Sequence, residues 1–263
     1  MTDDERYLFD LNGFLVLRQV LSPEEVAQMN AAIDHHGVDL AERVGSLAGD
    51  SKALAGTSYR KDLGGMLGWD RPWCEPFRHL MIHPGVKPTL DGILGTGYRL
   101  DHGPGVIAME KGCEGGTLHG GGYERADMSE VYFFKAGRIH TGLTVVEYLL
   151  ADEGPGDGGV AVLPGSHKAN LPCPRDLIQW EKYQEHVVEV NGKAGDAIIF
   201  TETLTHGTLP WTADHERRAL LYKFSPGCMA YSPGAHEIGY PEHIEDMSEE
   251  ERAVMEAPHV RGR

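Results

Sequence analysis

Little in this sequence suggests an oxidised or membrane-embedded protein. Its four cysteines, at 74, 113, 173 and 228, are scattered and form no CxxC pair. Reduced thiols in a cytoplasmic protein are therefore expected. No apolar run approaches the roughly 20 residues that cross a bilayer. The opening Met-Thr-Asp-Asp-Glu-Arg is acidic and lacks the basic-then-apolar order of a secretory signal. Positive charge is also scarce: 24 Lys and Arg against 40 Asp and Glu leave a formal net charge of −16. That balance disfavours a nucleic acid polymer or an anionic membrane surface as partner. It does not exclude a small anionic ligand, which needs only one or two well-placed cations. Nor is there any internal repeat or low-complexity tail.

What is present fits one globular domain over residues 1–263, because 41% hydrophobic residues in a chain of this length suffice for one substantial core. Asp3 to Leu11 reads as a short helix stopped at Asn12-Gly13, and Phe14 to Val20 as a strand. Ser22-Pro23-Glu24-Glu25 is a helix start: a Ser cap, Pro at the first helical position and Glu three residues after the cap. The stretch from Ala41 to about Arg99 predicts loops with one or two helices. Beyond Tyr98, short apolar runs alternate with Gly, Pro and Asp: Gly105–Glu110, Leu143–Leu150, Gly159–Leu163, Ala197–Thr201 and Arg218–Ser225. Such punctuation predicts an antiparallel sandwich or barrel. A second capping box, Ser248-Glu249-Glu250-Glu251, opens a helix near the C-terminus. The expected class is mainly β with flanking helices.

Three features carry the chemistry, in informative order: Leu118-His119-Gly120-Gly121, then Thr205-His206-Gly207-Thr208 after the apolar Ala197–Phe200, then Arg217 eleven residues past His206. On an extended strand, residues i and i+2 share a face, so His119 and position 121 are expected to point the same way. His206 ends a separate apolar run, and folding can bring a second imidazole to the same metal. Two His and a carboxylate on one face of iron leave open positions for a co-reactant and oxygen. An Arg on the next strand suits bidentate pairing with a carboxylate, and Thr208 can add a hydroxyl hydrogen bond.

These segments, with Asn12-Gly13-Phe14-Leu15-Val16 and Gly158-Gly159-Val160-Ala161-Val162-Leu163-Pro164-Gly165-Ser166-His167-Lys168, resemble the phytanoyl-CoA dioxygenase family of iron and 2-oxoglutarate oxygenases. The resemblance implies a double-stranded β-helix (jelly-roll). It also implies Fe(II) on His119 and His206, 2-oxoglutarate on Arg217 with Thr208, and O2 as oxidant.

The sequence departs from the family where His-x-Asp is usual: the second position is Gly121. The gap has three readings. A halide, chloride foremost, can fill the vacated place, as in the HxG or HxA radical halogenases that the site resembles. Alternatively the carboxylate comes from elsewhere and hydroxylation results, or the site is silent and the protein is a cupin-like binder. Glu124, Asp127 and Glu130 are nearby substitutes, although no strand geometry aims them at His119. Glu147 lies in an apolar strand, where a charge must be paired or coordinated. It is either a core carboxylate held by an Arg, or an active-site contact or substitute ligand. Arg138 and His140 suit an anionic substrate group or a solvated strand end, and His167 reads as turn structure. The expectation is a halogenase of a free small metabolite such as a nucleotide or amino acid, with a hydroxylase as the alternative. Oligomeric state is not legible.

Overall fold

The structure is a computed structural model that describes residues 1–121, 131–232 and 242–259. Helix α1 (Asp3–Asn12) is capped by Thr2 and ends at Gly13, whose left-handed backbone (φ 83°) turns the chain into β1 (Phe14–Leu17). Helix α2 (Pro23–His35) begins with the predicted capping box, Ser22 and Glu25 exchanging side-chain and backbone hydrogen bonds. The stretch that reads weakly holds a two-residue strand β2 (Ala41–Glu42), strand β3 (Lys61–Gly64), and helices α3 (Glu75–Leu80) and α4 (Lys87–Leu94).

Strands follow: β4 (Arg99–Met109), β5 (Gly116–His119), β6 (Tyr132–Lys135), β7 (Arg138–Thr141), β8 (Thr144–Leu149) and β9 (Gly159–Val162). After a short helix α5 (Arg175–Ile178) come β10 (Val188–Glu189), β11 (Ala197–Thr201), β12 (His206–Leu209) and β13 (Arg217–Ser225). A seven-stranded sheet runs β1-β11-β8-β13-β4-β3-β2 and a four-stranded sheet runs β10-β9-β12-β5. Every pairing within them is antiparallel. Strands β6 and β7 form a separate hairpin.

Strand alternation divides the seven-stranded sheet between two cores. Val146 and Tyr148 of β8, with Leu220, Tyr222 and Phe224 of β13, pack against Met29, Ile33, Phe77, Leu90 and Ile93 of the helices. Their neighbours Val145, Leu149, Ile198, Phe200 and Leu221 turn the other way and meet Val160 and Val162 of the four-stranded sheet. Both faces are therefore covered, which explains why β8 and β11 are apolar without alternation. This is the expected jelly-roll with helices on one side. The space between the sheets contains the polar groups described next.

Candidate metal centre

His206, at the head of β12, is the direct cross-strand partner of His119, at the end of β5. That register brings the two imidazoles together, ring centroids 4.2 Å apart. His206 Nδ1 lies 2.6 Å from the carbonyl oxygen of Leu204, and His119 Nδ1 lies 3.3 Å from that of Thr117. A carbonyl only accepts, so each Nδ1 carries the proton and each Nε2 is left with a free lone pair. Burial, reinforced by the neighbouring His119, lowers the His206 pKa to about 4, so this imidazole is neutral in the range where a metal would bind.

The third member is Glu202, in the turn between β11 and β12. One ligand atom each from His119, Glu202 and His206 lie within 4.8 Å of one another. Burial alone would raise the Glu202 pKa. His206 in its protonated form, which exists only at acid pH, and the Lys223 ammonium outweigh it and hold the acid below its ordinary value. Lys223 Nζ sits 2.7 Å from Glu202 Oε1, which leaves the other carboxylate oxygen for a metal. Two imidazoles and a carboxylate converging on one point are a donor set that fits iron(II).

Sequence reasoning sought the carboxylate two residues past His119 and missed this one. Its one signal was an acid directly after the apolar run Ala197–Thr201, whereas Glu147 stood out by lying within such a run. Position 121 fails as a ligand place for a backbone reason. Strand β5 stops at His119, and Gly120 and Gly121 both take left-handed conformations (φ 88° and 91°), so the two-residue alternation does not continue. A Cβ on Gly120 would lie 2.5 Å from the carbonyl oxygen of Glu202, and Gly121 donates its N–H to Thr203 at 2.8 Å. These glycines let the turn carrying Glu202 close against His119. Glu202 is thus a carboxylate near both imidazoles that the sequence pattern around Gly121 does not reveal. Glu124, Asp127 and Glu130 lie outside the described residues.

Arg217, expected to hold a co-reactant's carboxylate, is buried and already paired. Its Nη2 donates to Glu147 Oε1 at 2.5 Å, and its Nε lies 2.8 Å from Glu153 Oε1. All three side chains are at most 3% exposed. Glu147 is thus the Arg-paired core acid and not a metal ligand, while Glu153 was not foreseen. Thr208 follows His206 by two residues on β12 and shares its face. A further carboxylate does not fit on Arg217 while both acids are ionised, so the cradle expected for 2-oxoglutarate is incomplete as it stands.

A cavity of about 320 Å³ opens beside His119 and Gly121, lined by Leu118, Leu163, Leu171, Pro172, Ile178 and Thr205 among others. Among the described residues no acidic side chain, lysine or arginine lines it. Arg138 and His140 are exposed on the β6–β7 hairpin, where the His140 ring stacks on Phe133. His167 is buried in its turn and holds the carbonyl of Asp10 at 3.0 Å. A second group, Glu25, His79 and His83, lies near α2 and α3. There Gly85 N–H donates to His83 Nδ1 at 3.2 Å, so the proton sits on Nε2, which faces Glu25 at 3.4 Å. That is a hydrogen-bonded pair, not an open ligand set.

Comparison with known proteins agrees with this architecture. Residues 124–219 match the phytanoyl-CoA dioxygenase (PhyH) family. A search of curated protein sequences returned no match. Among solved structures, HygX from Streptomyces hygroscopicus, with nickel, 2-oxoglutarate and hygromycin B bound, superposes with a TM-score of 0.71 at 20% identity, over 88% of this chain and 89% of that one. The non-haem alpha-ketoglutarate-dependent epimerase SnoN from nogalamycin biosynthesis gives 0.62 at 21% identity, over 88% and 85%. The carbocyclase SnoK from the same biosynthesis gives 0.62 at 16% identity, over 94% and 91%. The chain thus has the fold of the iron and 2-oxoglutarate enzymes.

Proposed function

We propose that this chain is a mononuclear non-haem iron oxygenase that oxidises a C–H bond of a small molecule. The observation that carries this reading is the convergence of the His119 and His206 imidazoles and the Glu202 carboxylate. Iron(II) held there, with O2 and a 2-oxo acid such as the one bound in the HygX and SnoN structures, would supply the oxidising power. The chain's own groups do the rest. The carbonyls of Thr117 and Leu204 fix the imidazole tautomers, and Lys223 orients Glu202 and keeps it ionised. The cavity beside His119 positions the substrate.

The halogenase reading needs a halide as third ligand, and Glu202 stands in that role. Oxygen insertion is therefore favoured over halogen transfer. Cobalt(II), whose visible spectrum reports its ligands, tests both points. One ion per chain with a spectrum unmoved by chloride is expected. No cobalt binding would sink the metal-centre reading, and a chloride-dependent spectrum would restore the halide place.

A further inference from the structure

The cavity beside the metal centre has two unlike sides. Leu163, Leu171, Pro172 and Ile178 give it an apolar wall, while Thr205 and Ser166 bring hydroxyl groups to its lining. Both hydroxyl residues are buried, at 1% and 7% exposure. Local structure holds them in place. Thr205 directly precedes His206; its N–H donates to Ser166 Oγ at 2.7 Å, and its carbonyl accepts from the Leu163 N–H at 2.8 Å. The backbone of Thr205 is thus satisfied on both sides, and its side chain is not. Among the described residues Thr205 Oγ1 makes no hydrogen bond, and nothing accepts the Ser166 hydroxyl proton. The nearby Thr141 and Thr203 differ, since their hydroxyls pair with Thr201 Oγ1 at 2.6 Å and 3.3 Å. Gly121 keeps the space beside Thr205 open, because a Cβ there would lie 3.2 Å from Oγ1. Buried hydroxyls in native proteins are mostly paired, so this one calls for a ligand.

We propose that Thr205, with Ser166 beside it, selects the substrate of this cavity by donating a hydrogen bond to an oxygen of the bound molecule. The apolar remainder of that molecule lies against Leu163, Leu171, Pro172 and Ile178. The substrate class is then a carbon skeleton bearing a carbonyl or hydroxyl group, and the volume of about 320 Å³ suits a small one. A few placed polar groups in an apolar pocket fix a ligand's orientation. Here the oxygen is held one residue from His206, so Thr205 sets which carbon faces the metal centre. This rests on the oxygenase reading above for the chemistry, whereas recognition of the oxygen needs no metal.

Two probes of one shape test this on the full chain: acetophenone, and α-methylstyrene, in which a methylene replaces the carbonyl oxygen. Binding is read by saturation-transfer NMR titration. Thr205→Val keeps the side-chain shape and removes the hydroxyl. It should weaken the ketone about 3–10-fold, as loss of one hydrogen bond does, and leave the alkene unchanged or tighter. Thr205→Ser should keep most of the ketone affinity. Cobalt(II) then separates this proposal from the metal reading. In cobalt-loaded wild type the protons of the bound ketone should relax faster, because the cavity adjoins the metal centre. Failure of cobalt to bind strikes the iron reading alone and leaves the ketone preference standing. Three results would overturn the proposal: no binding of acetophenone to wild type, the same change for both probes in Thr205→Val, or cobalt that binds without touching the ketone's relaxation. The last is read on wild type, so the matter is decided even if the valine variant does not fold.

Discussion

Glu202 and Lys223 define the centre at the scale of single residues. Lys223 touches no open ligand place, yet it lies on the carboxylate that completes the set. Lys223→Met should weaken iron(II) binding by about 10–100-fold, as loss of an outer-shell partner does. Lys223→Arg should retain most of the affinity, and anaerobic titration of the two variants reads the difference. The two imidazoles were legible in the sequence, because a His at the end of each of two strands is a pattern that pairing can bring together. Glu202 was not. It sits in a turn, where strand alternation aims nothing, and its approach to His119 depends on two left-handed glycines that the sequence displays only as a Gly-rich run.

The elements holding the site can be tested through backbone and buried charge. Gly120→Ala would force a side chain into a left-handed backbone against the Glu202 and Leu204 carbonyls. It should cost more than about 1 kcal/mol and lower the melting temperature. Arg217→Met would leave Glu147 and Glu153 buried without their cation. A loss of about 3–5 kcal/mol is expected in denaturant unfolding, less where the acids take up protons. The strands of the double sheet were readable from apolar runs between Gly, Pro and Asp. Strand β4 begins at Arg99, earlier than the predicted Gly105, because Arg99, Asp101 and His102 interrupt its apolar pattern. The β6–β7 hairpin escaped notice because it stands outside both sheets in strands of only four residues, with Phe133 and Phe134 exposed and only Ile139 and Thr141 of β7 buried.

For the molecule as a whole, pH links burial to stability. Burial lowers the His167 pKa to about 4, against about 6.5 in an unfolded chain. Between those values the unfolded state binds the extra proton, so the His167 contribution is lost as pH falls from about 6.5 toward 4. His206 adds the same sign in metal-free protein. Glu147 and Glu153 act in the opposite direction, since their raised values favour the protonated fold. The prediction therefore concerns a difference: the melting temperature of wild type should fall more steeply from pH 7 to 4.5 than that of His167→Gln. Parallel curves would show that His167 is not the sensor. Charge balance and the lack of long apolar runs pointed away from nucleic acid and membranes, and no described helix is long and apolar enough to cross one. The cavity could not be read from sequence, because its lining comes from segments more than 80 residues apart, Leu118 to Thr205.

The central claim is that the third metal ligand is Glu202 and not an anion beside Gly121. Anaerobic iron(II) titration of wild type and Glu202→Ala, each with and without chloride, tests it most directly. One iron per chain in wild type, a loss of affinity of at least about 10–100-fold in the variant, and no response of wild type to chloride are predicted. Unchanged iron affinity in Glu202→Ala, or chloride-dependent binding in wild type, would contradict the account.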